Sequence, residues 1–356
     1  MNKNIIVLFI WDVDEILKKH LKKSLKCLSN VKLIFPKELD EKVIFKLGVD
    51  ADIIIGWRPS LELLRGSKKL KLFINPGTGI KHHIENFRKI NKTKKTILVN
   101  GHGHAYSTAQ HAVAMLLSLM NRIVSHHNWM KDGIWRTSDD KDIFSASIQL
   151  RNRNIGLLGY GAINQYVHKF LSGFENNFHI LKRNLEVGIS PACRSVGTGR
   201  DSGFNDNKVY FYIENDLNKF LKAIDILIVA VPHTSKTEKL IGKKELKLFG
   251  KNALVVNVAR GSIIDEKNLY ESLKNSSIAG AALDVWYNYN PKKDKDGKQY
   301  PYKFPFHKLD NVILSPHRAA SPFDDLTRWD EVIENIIRFA KGRKDFLNVV
   351  DLEREY

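Results

Sequence analysis

Apolar positions in this chain recur in two alternating series. In the first, Ile5 to Ile10 reads as a buried strand, and Asp14 to Cys27 has helical spacing with Ile16, Leu17, Leu21 and Leu25 on one side. Val31 to Phe35, Ala51 to Ile55, Leu70 to Ile74 and Ile97 to Asn100 supply four more strands, with a helix around Leu61 to Leu64. Strand alternating with helix predicts a parallel sheet with covering helices. Ala105 to Val124 then reads as one long helix, apolar over most of its surface, so it should be buried, with a subunit contact as one way to cover it. Gly133-Ile134-Trp135 closes that segment.

The second series opens at Asn154. Strands are expected over Asn154 to Leu158, Phe178 to Lys182, Ile226 to Val231, Ala253 to Asn257, Ala279 to Val285 and Val312 to Leu314, and helices over Ala162 to Leu171 and Glu266 to Leu273. This is the pattern of a doubly wound domain. Gly188 to Asn207 and Asn288 to Lys303, rich in Gly, Ser, Asn, Lys and Asp, read as inserted loops. The tail, Asp324 to Ala340, is helical again and could return to the first domain.

Composition narrows the function classes. A chain of 356 residues suits two domains, and 43% hydrophobic with 27% charged residues excludes global disorder. Apolar runs are too short to span a bilayer, and Met1 to Trp11 reads as a strand without the features of a secretory signal, so a cytoplasmic protein is expected. The two cysteines, Cys27 and Cys193, lack metal-type spacing, so neither a disulfide scaffold nor a metal centre is expected. The formal charge of +18 could attract nucleic acid or acidic membranes, but the lysines are spread evenly and no aromatic-plus-basic motif accompanies them. Neither nucleic acid nor membrane is therefore expected as a partner; the charge would assist a small anionic substrate.

The chemistry concentrates in a few motifs. Gly159-Tyr160-Gly161-Ala162-Ile163-Asn164 follows a strand and opens a helix, as a dinucleotide fingerprint does. Gly159 would permit the tight turn and Gly161 the approach of a pyrophosphate to a helix N-terminus. Asn164 replaces the third glycine, which suggests slightly looser helix packing. On its own the motif is equally a glycine-rich structural turn; its place in a second strand-helix series favours the dinucleotide. The next strand ends in Lys182-Arg183 where an NAD site usually carries a carboxylate, so a 2′-phosphate, and hence NADP, is weakly favoured over a merely cationic surface edge.

Four further segments, in order, resemble the D-isomer-specific 2-hydroxyacid dehydrogenases: Asn75-Pro76-Gly77-Thr78-Gly79-Ile80, Thr108-Ala109-Gln110-His111-Ala112-Val113-Ala114, Val256-Asn257-Val258-Ala259-Arg260-Gly261 and Leu314-Ser315-Pro316-His317. The resemblance implies two doubly wound α/β domains: a flavodoxin-like substrate domain from residues 1–104 plus 320–356, and a Rossmann dinucleotide-binding domain from residues 105–319. It implies an active site in the cleft between them and a homodimer built on the Ala105 to Val124 helix. Backbone N–H groups at Thr78 and Gly79 would hold a substrate carboxylate, and Arg260 would pair with that carboxylate and the neighbouring carbonyl oxygen. His317 would give the proton as hydride arrives from NAD(P)H. Gly159, Gly161, Ala162, Ile163, Lys182, Arg183, Val231, Pro232, Val258 and Ala259 form the expected cofactor site, with Asp284 at the nicotinamide carboxamide.

The chain departs from the pattern at one telling position. The glutamate that the resemblance implies as partner to the histidine falls on Tyr289, and a neutral tyrosine cannot stabilise an imidazolium as a carboxylate does. Tyr289 could instead orient the imidazole through its hydroxyl, or point away from it. Gln110 replaces a second acid. The leading reading is therefore reduction of a small 2-oxo acid or oxidation of a 2-hydroxy acid, of glyoxylate or hydroxypyruvate type. Formate-like oxidation, suggested by Asp284-Val285-Trp286, and a nucleotide-sensing protein without turnover are the alternatives.

Overall fold

The computed structural model describes residues 4–135, 146–183, 208–320 and 325–356. The insertion expected over Gly188 to Asn207 lies outside the described residues. The chain divides into two compact units, Met1–His104 with Pro322–Tyr356, and Ala105–Ser321.

The first unit carries five parallel strands, β1 (Ile5–Phe9), β2 (Val31–Ile34), β3 (Ile53–Ile55), β4 (Leu72–Asn75) and β5 (Ile97–Asn100), in the order β2-β1-β3-β4-β5. That is the flavodoxin-like order. Helices alternate with the strands: α1 (Glu15–Ser24), α2 (Glu41–Gly48), α3 (Leu61–Gly66) and α4 (Lys81–Ile90). Side chains of Asp14, Asp40 and Ser60 cap the first three by accepting backbone N–H bonds, which fixes where each helix starts. On α1, Leu17 and Leu21 are buried, as is Leu25 at its C-cap, while Ile16 is exposed. The sequence grouping of Ile16 with the buried stripe is therefore corrected: the stripe is narrower, because Ile16 lies one residue step round the helix from Leu17.

In the second unit seven parallel strands follow the order β12-β11-β10-β9-β6-β7-β8: β6 (Asn154–Leu158), β7 (Asn177–Leu181), β8 (Val209–Tyr212), β9 (Ile226–Val229), β10 (Leu254–Asn257), β11 (Gly280–Leu283) and β12 (Val312–Leu314). The strand order turns back at β6 and β9, the switch point where such sheets open a crevice at the carboxyl ends of their strands. Every strand residue of β9, β10 and β11 is buried, as expected for a parallel sheet covered on both faces. Apolar clusters cover the two faces. One includes Phe220, Leu246, Leu269 and Phe306, the other Met115, Leu116, Val167 and Leu171.

The long helix expected over Ala105 to Val124 is two helices. α5 (Ala105–Met120) ends before Arg122, whose φ of 55° is left-handed, and α6 (Ile123–Lys131) starts after it. α5 buries Ala109, Ala112, Leu116 and Met120, whereas no residue of α6 is buried. Four more α-helices follow among the described residues of the second unit: α7 (Ala162–Leu171), α8 (Leu217–Lys222), α9 (Lys243–Phe249) and α10 (Glu266–Lys274). The tail helix α11 (Asp330–Ala340) packs Val332, Ile333 and Ile336 into the core of the first unit, beside Val7 and Phe9. Among the described residues no helix is long and apolar enough to cross a membrane.

Candidate active site

The dinucleotide fingerprint lies at the switch point. Gly159 has φ +82°, and a Cβ there would stand 2.7 Å from Val231 Cγ1 and 2.9 Å from the Ala230 carbonyl oxygen. Only glycine serves at that turn. Gly161 differs: a Cβ on it would meet no protein atom within 4 Å, so the space in front of α7 is open. Ala162 and Ile163 begin α7, and its first N–H groups face that space with the helix dipole behind them.

Asn164 does not loosen the packing as its sequence position suggested. It is wholly buried, and its Nδ2 donates to the Gly159 carbonyl at 2.7 Å, with the Leu158 and Ile228 carbonyls at 3.3 and 3.4 Å. The amide thus ties the helix to the glycine turn where a third glycine would only have packed closely. These residues fit a dinucleotide: a cradle without side chains, a helix N-terminus, and a turn held rigid from below. Lys182 and Arg183 follow β7 directly, and the Lys182 N–H donates to the Tyr212 carbonyl at 3.1 Å. Lys182 is half-buried and Arg183 exposed.

Past β10, the buried Asn257 shapes the chain. Its Oδ1 accepts from the Ala259 N–H at 3.1 Å and its Nδ2 donates to the Arg260 carbonyl at 3.0 Å. Val258 and Ala259 are buried, and Arg260 emerges half-buried. The guanidinium donates to the Ala259 carbonyl at 2.6 Å. Among the described residues no carboxylate pairs with it. Its remaining donors are therefore available to an anion.

His317 lies in the turn after β12 with φ +59°, a left-handed conformation rare outside glycine. Its Nδ1 donates to the Asp284 backbone carbonyl at 3.1 Å and stands 3.9 Å from the Asp284 carboxylate. With Nδ1 so engaged, Nε2 is the nitrogen left to exchange a proton. Asp284 is buried, and its carboxylate accepts from the Ser315 hydroxyl, the Arg318 N–H at 2.7 Å and the Ala319 N–H at 3.1 Å. The side chain expected at a carboxamide thus also binds together the turn that carries His317. Trp286 Nε1 donates to the Ser315 carbonyl at 2.8 Å and pins the same turn from another side.

Tyr289 stands edge-on to His317, ring centroids 5.2 Å apart at 77°. Its hydroxyl accepts the Trp286 N–H at 3.3 Å, so the hydroxyl holds its own loop and makes no hydrogen bond to the imidazole. Loss of water around the phenol pushes its pKa up, against the pull of the Trp286 hydrogen bond and the Arg260 guanidinium. Tyr289 therefore lies within the influence of both Arg260 and His317, which brings the guanidinium and the imidazole into one neighbourhood. The sequence reading did not single out Asn257, Ser315 or Trp286 for a role. Each was visible only as a neighbour of a motif residue.

In the first unit, the loop after β4 is fixed by side chains. Asn100 Nδ2 donates to the Thr78 carbonyl at 2.8 Å, and Thr78 Oγ1 lies 3.0 Å from the Gly101 carbonyl and 2.9 Å from His104 Nε2. Asn75 Nδ2 donates to the Gly77 carbonyl, while its Oδ1 accepts from His83 Nε2 at 3.2 Å. The backbone N–H groups of Thr78 and Gly79 make no hydrogen bond among the described residues.

Residues 113–319 match the NAD binding domain of the D-isomer specific 2-hydroxyacid dehydrogenases. The chain is 31% identical to the D-3-phosphoglycerate dehydrogenase of Archaeoglobus fulgidus over 286 residues, 79% of this chain and 47% of that protein. It thus spans about half the length of the phosphoglycerate dehydrogenases it matches. It is 29% identical to the glyoxylate reductase of Thermococcus litoralis over 286 residues, 79% of this chain and 77% of that one. The NADPH-dependent glyoxylate/hydroxypyruvate reductase of Sinorhizobium meliloti, solved with NADP and malonate, shares its fold with a TM-score of 0.72 at 22% identity, covering 99% of this chain and 98% of that one. The chain belongs to the D-isomer specific 2-hydroxyacid dehydrogenase family.

Proposed function

We propose that the protein reduces a small 2-oxo acid of glyoxylate or hydroxypyruvate type to the corresponding 2-hydroxy acid, with NADPH preferred. The observation that carries this reading is Arg260: a half-buried guanidinium with no acidic partner among the described residues, felt by the same Tyr289 phenol that stands edge-on to His317. Names of the glyoxylate reductases among its relatives support the substrate class. A nicotinamide cofactor held at the glycine turn would supply the hydride. Gly159, Gly161, Ala162, Ile163, Val231, Pro232, Val258 and Ala259 would hold it.

Arg260 binds the substrate carboxylate through its planar fork and polarises the adjacent carbonyl. Thr78 and Gly79, whose N–H groups have no partner among the described residues, are proposed to bind the carboxylate as well. His317 hands a proton from Nε2 to the carbonyl oxygen and keeps its Nδ1 proton on the Asp284 carbonyl. Tyr289 packs on the imidazole and limits its rotation. Lys182 and Arg183 favour a 2′-phosphate. A homodimer is supported by the exposed apolar residues Ile123, Val124, Met130, Ile134 and Trp135 on and after α6.

A panel of 2-oxo acids assayed with NADPH and with NADH tests the reading. Turnover of glyoxylate or hydroxypyruvate, faster with NADPH, is expected, together with loss of at least about 100-fold in kcat/KM for Arg260→Ala. Cofactor binding with no turnover of any acid would overturn it.

A further inference from the structure

We infer that His104 is a positioning residue for the substrate carboxylate, a role that rests on the proposed binding of that carboxylate by Thr78 and Gly79. His104 holds the Thr78 hydroxyl, and through it the turn whose N–H groups would take the anion. Thr78 Oγ1 lies 3.0 Å from the Gly101 carbonyl and 2.9 Å from His104 Nε2. A carbonyl only accepts, so the one hydroxyl proton goes to Gly101. The hydroxyl oxygen must then accept from His104, and Nε2 is a ring nitrogen that carries a proton. Asn100 Nδ2 completes the hold by donating to the Thr78 carbonyl at 2.8 Å. Side chain and backbone of Thr78 are thus both fixed from the segment that starts at the end of β5.

The stretch Gly101-His102-Gly103-His104 is built for this close approach. A Cβ on Gly101 would stand 2.5 Å from the Pro76 carbonyl oxygen, and one on Gly103 would stand 2.4 Å from the Arg328 carbonyl oxygen. Each glycine lets backbone lie on backbone, the first against the turn after β4 and the second against the residues ahead of α11. The His102 N–H donates to the Glu331 carboxylate at 2.5 Å and ties the stretch to α11 itself. His104 is half-buried and reaches Thr78 from a segment braced on both sides. Its Nε2 proton is engaged by Thr78 Oγ1, so the imidazole acts on the anion through the turn. Loss of that bond would leave the hydroxyl with the Gly101 carbonyl and let the N–H groups of Thr78 and Gly79 drift from their direction. The cost falls on binding of the acid, because His104 does not act on the carbonyl that is reduced.

Oxamate, an unreactive mimic of a 2-oxo acid, is titrated by calorimetry into the protein saturated with NADP+, beside steady-state reduction of glyoxylate. His104→Ala should weaken oxamate binding and raise KM about three- to tenfold, the usual worth of one hydrogen bond. Its kcat should stay within about twofold of the parent, as for a lost contact equal in ground and transition states. His104→Gln, whose amide can donate to the same oxygen, should restore both. In a Thr78→Val background His104→Ala should cause no further loss, because the shared bond is already gone. Unchanged oxamate binding in His104→Ala, an equal loss in His104→Gln, or additive losses in the double variant would overturn the inference. Should His104→Ala fail to fold, a long-range 1H–15N spectrum of the parent must show His104 protonated at Nε2 and shifting with oxamate; a bare Nε2 or an unmoved signal overturns the inference equally. A parent that shows this oxamate pattern but reduces no acid defeats the proposed function alone, whereas a parent that binds no oxamate defeats this inference.

Discussion

Gly261 lies against the backbone of Trp286 so closely that a Cβ on it would come within 2.5 Å of the Trp286 carbonyl carbon and oxygen. This contact joins the loop after β10, which presents Arg260, to the loop after β11, which carries Asp284, Trp286 and Tyr289. Backbone meets backbone here, so no side chain can swing aside. The separation of the arginine from the histidine turn is thereby fixed by packing.

Gly261→Ala should push these loops apart. We expect destabilisation of about 1–3 kcal/mol from overpacking and a fall in kcat/KM of roughly 100-fold, the cost of an ångström-scale misplacement. Urea denaturation and steady-state kinetics measure the two effects. A variant with parental kinetics would show that the contact does not position Arg260.

The two fingerprint glycines should respond differently to the same change. Gly159→Ala meets Val231 and the Ala230 carbonyl and must also hold φ +82°, so it should lower stability and weaken cofactor binding together. Gly161→Ala meets nothing in the protein. It should leave the Tm of the cofactor-free protein within a degree or so, since strain-free surface changes cost little, yet weaken NADPH binding about tenfold or more. Fluorescence titration of NADPH together with thermal melts distinguishes the pair; unaltered binding by Gly161→Ala would argue against a pyrophosphate there.

Asn164→Ala should destabilise the second unit by about 1–3 kcal/mol, since the half-buried Gly159 carbonyl loses its donor. Asn164→Gly should be no better, because the loss is of a hydrogen bond and not of space. Chemical denaturation of both variants checks this; a glycine variant as stable as the parent would sink the explanation.

Acid should weaken the fold before most carboxylates titrate. Burial lowers His83 to about 3 and His168 and His179 to about 4. His83 rests its Nε2 on Asn75 Oδ1, and His168 its Nδ1 on the Tyr160 hydroxyl. Each folded-state value lies below the unfolded value of roughly 6.5, so the unfolded chain binds protons first. Their contribution is complete above about pH 6.5 and is lost as pH falls toward 4, at up to about 1.4 kcal/mol per group per pH unit. Stability by urea denaturation should therefore drop between pH 6.5 and pH 5, and His83→Gln should reduce the slope. A flat profile over that range would contradict the assignment of neutral, buried imidazoles.

Most of the architecture was legible along the chain because both sheets are parallel and buried. Runs such as Ile226 to Val229 and Leu254 to Asn257 must be apolar on both faces, and that periodicity survives without any knowledge of partners. The glycine turn was legible for a similarly local reason, since Gly159 answers to its own φ. Helices α2 and α4 escaped notice although Asp40 caps the first of them, because each buries few apolar side chains: Ile44 in α2, and Ile84, Phe87 and Ile90 in α4. The break at Arg122 was invisible too, because neither glycine nor proline marks the left-handed residue.

Local pattern thus determined the two alternating series, the order of motifs and the residue types able to do the chemistry, since each depends on neighbours a few positions away. Only the tertiary structure decided that Asn164 staples the cofactor turn, that the Tyr289 hydroxyl turns to Trp286 instead of His317, and that Asp284 clasps the histidine turn. Those are hydrogen bonds and charge contacts, some between residues thirty or more positions apart. A buried polar group takes whichever partner the fold delivers, and its own sequence neighbourhood does not name that partner.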